Sequence, residues 1–238
     1  MSRPLVLVAM EAEAAPIRAA LGLKAEGELI DPRFPAKIWA NERCALAING
    51  IDERFGVDSI GSIPAITTTI NAVSAIGPSI VVSAGTAGGF TERGGEIAKS
   101  YLANRCVFHD RRIDLPGFDA YGIGDYAVAD LSAVAAELAI EEGTVTTGGA
   151  LDAPVDDMAR MRASGAVAKD MEAAAIAWLC QHLDIPFTAL KVVTDLVDAP
   201  EEPGEQFLRN LELATRTLAS QVRLLIDALQ DFRSPIQA

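Results

Sequence analysis

Apolar positions divide the chain into short unbroken runs and longer periodic stretches. Residues Leu5–Ala9 (LVLVA) form one such run, ending at Met10-Glu11. A run that short, without alternation, predicts a strand covered on both faces. A helix is predicted next, with Glu11 and Glu13 in its first turn and Pro16 still near its start. Ile38–Ala40 and Ala45–Ile48 read as two further strands, and Asn49-Gly50 as a turn. Ile60–Ile76 predicts a buried helix rich in Ala, Thr and Ile, closed by Gly77-Pro78. Ile80–Val82 predicts a buried strand that runs into the glycine cluster Ser83–Gly89.

The second half continues the alternation. A strand is predicted over Tyr101–Phe108, a long loop over Arg111–Tyr126, a helix over Leu131–Ile140 and a strand over Thr144–Thr147. Asp170–Leu183 predicts a helix with Asp170 near its N-cap. Phe187–Val193 predicts a strand ending at Thr194-Asp195, and Pro200–Pro203 an acidic turn. The last helix runs to about Gln230, with Leu208, Leu211, Leu218, Val222, Leu225 and Leu229 on one stripe. Strands alternate with helices, with no linker and no internal repeat. The expected fold class is α/β, a three-layer αβα sandwich around a central mixed sheet. One domain is expected over residues 1–232, with a frayed tail over 233–238.

Composition narrows the function classes. The 238 residues suit one large domain, and 50% hydrophobic residues exclude a disordered chain. With 33 acidic and 20 basic side chains the net charge is −13, which disfavours nucleic acid and anionic membranes as partners. Three scattered cysteines without a CxxC point to a reducing compartment, and two histidines make a structural zinc site improbable. The uncharged stretch Ser59–Thr91 is interrupted throughout by Ser, Thr, Asn, Gly and Pro, so it reads as core helix plus strand. A soluble cytoplasmic protein is expected.

Ligands of open α/β sheets collect at the carboxyl ends of strands. Three predicted strand ends carry unusual residues: Met10–Glu13, Gly85–Gly89 and Thr194-Asp195. Met171-Glu172 opens a helix. Each also has a plain structural reading. Glu13 and Glu172 suit the positive end of a helix, and Asp195 suits a turn cap. The glycine cluster fits neither a dinucleotide fingerprint nor a P-loop, and reads as a tight turn or as backbone that a flat ligand approaches. His109 reads as a surface or interface residue, and Cys180 as core. No G-x-S-x-G elbow is present. What remains is a carboxylate site, the kit for cleaving a glycosidic bond by acid and base.

Four segments together, AMEAE (9–13), SAGTAGGF (83–90), KDMEAAAIA (169–177) and KVVTDLVD (191–198), resemble the 5′-methylthioadenosine/S-adenosylhomocysteine nucleosidases of the purine and uridine phosphorylase superfamily. VFHDRR (107–112), TDLVD and EEPGEQFLRNL (201–211) resemble the plant-type members. The resemblance implies hydrolysis of the N9–C1′ bond of a 5′-thioadenosine to adenine and the thioribose, in nucleoside catabolism and methionine salvage. It assigns Asp195 as the acid on adenine N7, oriented by Thr194, and Glu13 as the base on water. Glu172 would accept both ribose hydroxyls, with Met171 packed on the ribose. Thr86, Ala87 and Gly88 would lie along the ribose and water site, and Met10 beside the water. Ile51 and Leu151 would line the apolar pocket, and Lys191 stands at the family's basic position on its strand. The resemblance further implies no cofactor, no metal and a homodimer in which the partner's Phe108–Tyr121 loop closes the site.

Two departures stand out: Gly149 where the family more often has Asp, and Leu151 where many bacterial members have an aromatic. Phe90 is assigned no role. The acidic Glu11 and Glu13 at the first strand end disfavour an anionic nucleophile, so water is expected over phosphate; Arg93 and Lys191 are the cations that would favour phosphate if they reached the pocket. The alternatives are a purine nucleoside phosphorylase, a hydrolase of another adenosine-like nucleoside such as a futalosine-type intermediate, and a non-catalytic binding module.

Overall fold

The computed structural model describes residues 2–25, 31 and 33–231. The predicted tail over 233–238 lies outside the described residues. The first strand, β1 (Leu5–Val8), shows why an unbroken apolar run suits a covered sheet. Leu5 and Leu7 enter one hydrophobic cluster, while Val6 and Val8 enter the other. Side chains alternate across a strand, so both faces must be dry. Helix α1 (Glu11–Leu21) follows, then β2 (Lys24–Ala25), β3 (Lys37–Ala40) and β4 (Ala45–Ile48). A small separate hairpin of β5 (Ile51–Asp52) and β6 (Val57–Asp58) precedes helix α2 (Ser62–Ile76).

The glycine cluster is no turn. Strand β7 (Val81–Gly89) runs straight through it for nine residues. At two of the glycines a Cβ would collide with side chains of the neighbouring β12 segment: one on Gly89 would lie 2.9 Å from Val193 Cγ1, and one on Gly88 2.6 Å from Val197 Cγ2. Glycine inside a strand marks such an approach. Strands β8 (Ser100–Phe108) and β9 (Tyr126–Ala127) bracket the segment expected as one long loop. That segment contains a short helix, α3 (Asp119–Ile123). Helix α4 (Ser132–Glu137) and strand β10 (Glu141–Thr147) match their predicted positions.

Helix α5 (Val155–Ser164) and strand β11 (Ala166–Asp170) were not anticipated in the sequence. Helix α6 spans Ala173–His182, so Asp170 ends a strand and Glu172 occupies the N-cap position. Asp170 still caps from upstream, its Oδ2 accepting the Ala173 N–H at 2.8 Å. Strand β12 (Phe187–Leu196) extends past Asp195, and helix α7 (Pro203–Ala228) completes the fold. Leu208 breaks the predicted stripe: it is 75% exposed, and the buried apolar positions of α7 begin at Ala214 and continue through Leu218, Val222 and Leu225.

The main sheet has ten strands in the order β11-β10-β8-β12-β7-β1-β4-β3-β2, with β9 on β8. Parallel and antiparallel pairs mix. The β11–β7 pairing closes β7, β12, β8, β10 and β11 into a ring. Helices α2 and α6 cover one face, and α1, α4 and α7 the other. Phe90, given no role above, is buried in a third cluster with Met161 and Val197. No helix among the described residues is long and apolar enough to cross a membrane.

Candidate active site

A cavity of about 210 Å³ opens at the carboxyl ends of β1, β7 and β12. Met10, Glu13, Thr86, Ala87, Gly88, Leu151, Met171, Glu172, Thr194 and Asp195 all line it. These come from five separate stretches of chain. The remaining walls are Ala9, Ile60, Ala150, Lys169, Asp170 and Phe207.

Glu13 is the third residue of α1 and is 2% exposed. Its Oε2 accepts the Met10 N–H at 3.2 Å, satisfying a free donor at the helix start. Its Oε1 accepts the Thr86 N–H at 2.7 Å and the Thr86 hydroxyl at 2.8 Å. The structural and chemical readings of Glu13 therefore coexist: one oxygen caps α1 and the other is pinned to β7. Burial pushes its pKa up, while Thr86, Lys191 and the Met10 N–H pull it back.

Asp195 stands at a bulge. The β12–β7 register shifts between Val193 and Asp195. An inserted residue of that kind re-aims its neighbours' side chains. The Thr194 hydroxyl donates to Asp195 Oδ1 at 2.8 Å and lies 3.3 Å from the Ala87 carbonyl. A Cβ on Gly88 would sit 2.9 Å from Asp195 Oδ2 and 2.6 Å from Val197, so only glycine leaves that oxygen room. Burial raises the Asp195 pKa, opposed by the Thr194 hydroxyl and by Lys169.

Between these ends, Glu172 Oε1 accepts the Gly61 N–H at 2.8 Å. Gly61 precedes α2 at φ 95°, a conformation glycine adopts without strain. Burial and the neighbouring Asp170 push the Glu172 pKa up to about 7. Lys191 does not line the cavity. It is 1% exposed and sits behind the site, paired with Asp170 Oδ2 at 2.8 Å and donating to Ser83 Oγ at 3.2 Å. Asp170 is held in turn by the Thr147 hydroxyl at 2.6 Å. Removing either partner of such a buried pair costs about 3–5 kcal/mol.

Ile51, expected in the apolar pocket, does not line this cavity. It lies on the β5–β6 hairpin, 51% exposed, in a different cleft with Trp39 and Arg54. The isoleucine at the cavity is Ile60, because the hairpin loops out before α2 begins. Phe207 also escaped notice. It belongs to the first turns of α7, which Gln206 ties to Leu196 N–H at 3.1 Å and Asn210 to the Thr194 carbonyl at 2.9 Å. Phe207 lies within the EEPGEQFLRNL segment, next to Leu208 and off the leucine stripe. His109 is not a surface residue. It is 3% exposed, its Nδ1 lies 3.0 Å from Thr146 Oγ1, and Gly148 packs against its ring. Arg93 is exposed and lies off the cavity.

The cation inventory bears on the nucleophile. Lys169 is the cavity's cationic side chain, and its Nζ donates to the carbonyls of Ala150, Leu151 and Asp152. Facing it are four carboxylates, Glu13, Asp170, Glu172 and Asp195. Burial lowers the Lys169 pKa, opposed by Asp195 and by Asp152, Asp157 and Asp110. Among the described residues, no cluster of His, Cys, Asp or Glu has the arrangement of a metal site.

The family description "Phosphorylase superfamily" matches residues 4–227. A 5′-methylthioadenosine nucleosidase of Arabidopsis thaliana is 36% identical over 232 residues, covering 95% of this chain and 87% of the relative. A 5′-methylthioadenosine/S-adenosylhomocysteine nucleosidase of the same plant is 33% identical, covering 93% of this chain and 89% of the relative. The apo structure of Arabidopsis thaliana 5′-methylthioadenosine nucleosidase superimposes with a TM-score of 0.94 at 33% identity, covering 98% of each chain.

Proposed function

The chain belongs to the phosphorylase superfamily, among its methylthioadenosine nucleosidases, and from that premise we propose that it hydrolyses the N-glycosidic bond of 5′-methylthioadenosine. S-adenosylhomocysteine is the second substrate to test. The products are adenine and the free thioribose, which feed nucleoside catabolism and methionine salvage. The reading rests on one observation: two buried carboxylates line the same cavity, Glu13 with three hydrogen-bond donors and Asp195 with one.

Asp195 is the general acid. Its raised pKa keeps a proton available, and Thr194 fixes Oδ1 so that Oδ2 delivers the proton to adenine N7. Protonation at N7 drains electrons from the glycosidic bond, and the ribosyl group develops positive charge as adenine leaves. Glu13 is the general base. Ionised, it takes a proton from water attacking C1′, and three donors plus Lys191 favour that ionised form. Glu172 accepts the ribose diol, since a carboxylate offers two oxygens to two hydroxyls. Met10 and Met171 pack against the sugar, and Thr86, Ala87 and Gly88 form its floor. Leu151, Ile60 and Phe207 supply the apolar walls. Lys191 acts from behind, holding Asp170 and biasing both glutamates toward ionisation.

Water rather than phosphate is the nucleophile. A phosphate needs free cationic donors. The Lys169 ammonium is committed to carbonyls and Lys191 to Asp170, while the ionised Glu13 repels an anion. No cofactor is required by this chemistry.

The active unit is a homodimer. Ile60 and Leu151 line the cavity yet stay 47% and 48% exposed, so its mouth calls for a cover. Leu115, Phe118 and Tyr121 are exposed on the Phe108–Tyr121 segment and suit that role on a partner chain. The three buried free cysteines suit a reducing, cytoplasmic setting.

The test is a mass-spectrometric product assay on phosphate-free protein, with and without added phosphate. Adenine plus methylthioribose, unaffected by phosphate, supports the reading. Methylthioribose-1-phosphate formed only with phosphate means a phosphorylase and retires Glu13 as base. Light scattering across a dilution series reports the dimer, and a monomer that retains full turnover would remove it from the mechanism.

A further inference from the structure

One wall of the cavity belongs to neither helix nor strand. Residues 148–154 join β10 to α5 without regular structure, and Ala150 and Leu151 in that stretch face the cavity. Three consecutive carbonyls there converge on one point. Lys169 Nζ donates to Ala150 O at 2.8 Å, Leu151 O at 2.6 Å and Asp152 O at 2.8 Å. An ammonium has three N–H donors, so all three are used. Successive carbonyls have no reason to gather by themselves, because their oxygens repel. A cation at the focus reverses the balance, and charge-assisted bonds are the strong ones.

The other end of Lys169 is rigid. It sits within β11, with Thr146 of β10 on one side and Gly88 of β7 on the other. The side chain is 5% exposed. The ammonium therefore hangs from two paired strands at a fixed height above the sheet. The stretch is pinned at its start as well: Gly148 N–H donates to the Asp170 carbonyl at 3.1 Å, and Gly149 N–H to Asp110 Oδ2 at 2.5 Å. Those bonds stop short of Leu151.

We infer that Lys169 is a positioning residue that curls the 150–152 backbone around its ammonium and so holds Leu151 against the bound base. It sets substrate affinity and touches no reacting atom; its reach into the chemical step is limited to the charge it holds near Asp195. The affinity part rests on the nucleosidase reading, whereas the clamp itself does not.

The experiment uses Lys169→Met, which keeps the unbranched apolar stem and removes every donor. Hydrogen exchange on the ligand-free protein reads the clamp directly. Amides of 148–154 should exchange about tenfold faster or more, with β11 and α6 as protected as in the wild type. Steady-state kinetics on methylthioadenosine reads the consequence. KM should rise about tenfold or more, with kcat changed less than about threefold, since uniform binding is lost and not transition-state stabilisation. Unchanged exchange in 148–154 would overturn the clamp. Faster exchange throughout the chain, or an equal fall in kcat at unchanged KM, would make Lys169 a folding or chemical residue and overturn the inference too. If the wild type turned over no methylthioadenosine, the hydrolase reading would fail and the exchange result alone would decide the clamp.

Discussion

The two ends of the cavity each bury a carboxylate, and they surround it differently. Glu13 receives the Met10 N–H, the Thr86 N–H and the Thr86 hydroxyl, and Lys191 lies behind it. Asp195 receives one hydroxyl, from Thr194. Burial raises both pKa values, so desolvation alone does not distinguish acid from base. The count of donors does. A carboxylate with several donors is held toward its charged, proton-accepting form, and one with few keeps its proton. In the proposed reaction the same fold thus draws two roles from one functional group.

The largest effect should come from removing one role outright. Asp195→Asn and Glu13→Gln should each lower kcat by about 10²–10⁴-fold. Asp195→Asn should still bind adenine, since the amide donates a hydrogen bond without transferring a proton. Near-normal turnover in either variant would dissolve the contrast between the two ends.

Next in size is Gly88→Ala. The added methyl meets Val197 and Asp195 Oδ2 inside 3.0 Å, so the acid must turn away or the strand must shift. We expect a loss of about 10–100-fold in kcat and about 1–3 kcal/mol in stability. Wild-type activity would show that Oδ2 need not face the cavity.

The contrast sharpens in two threonine swaps. Thr86→Val removes a donor from the base, raising the Glu13 pKa and moving the acid limb of kcat/KM to higher pH. Thr194→Val removes the donor from the acid, raising the Asp195 pKa and moving the alkaline limb to higher pH. The first narrows the active pH window and the second widens it, alongside a drop in rate from lost orientation. Both limbs moving together in either variant would mean the two groups titrate as one unit.

The smallest effect is on stability. A carboxylate whose folded pKa is raised binds more protons folded than unfolded, so its contribution is lost as pH rises through the folded value. Asp195→Asn should therefore melt about 2–4 °C above the wild type at pH 8. That advantage should vanish as pH falls toward the ordinary aspartate value of about 3.9. A pH-independent difference would assign the change to packing instead of charge.

How much of this was legible in the sequence follows from the range of each interaction. Leu5–Val8, Ala45–Ile48 and Phe187–Val193 were readable as strands because a dry two-faced sheet demands unbroken apolar runs. The motif residues were legible as chemistry, and all but Ile51 and Lys191 face one cavity. The missed α5 and β11 carry Asp156, Asp157, Arg160, Arg162, Lys169 and Asp170, so local polarity hid two core-packed elements. His109 looked solvated among Asp110, Arg111 and Arg112, yet its own ring is buried under Gly148.

The sequence by itself determined the alternation of strands and helices, the placing of acidic residues at strand and helix ends, and the family. Those are encoded by neighbours a few positions apart, through side-chain periodicity and backbone preference. Only the tertiary structure decided that the glycines leave room for the Val193, Asp195 and Val197 side chains, that Ile60 lines the cavity while Ile51 lies in another cleft, and that Phe207 adds to its wall. It also decided that Lys191 supports the site from behind while Lys169 gathers a wall of it. Each of these depends on bulges, hairpins and buried contacts between residues distant in the chain. Local pattern carries no record of such distances, and the hydrogen-bond donors gathered at those contacts are what separate the proposed acid from the proposed base.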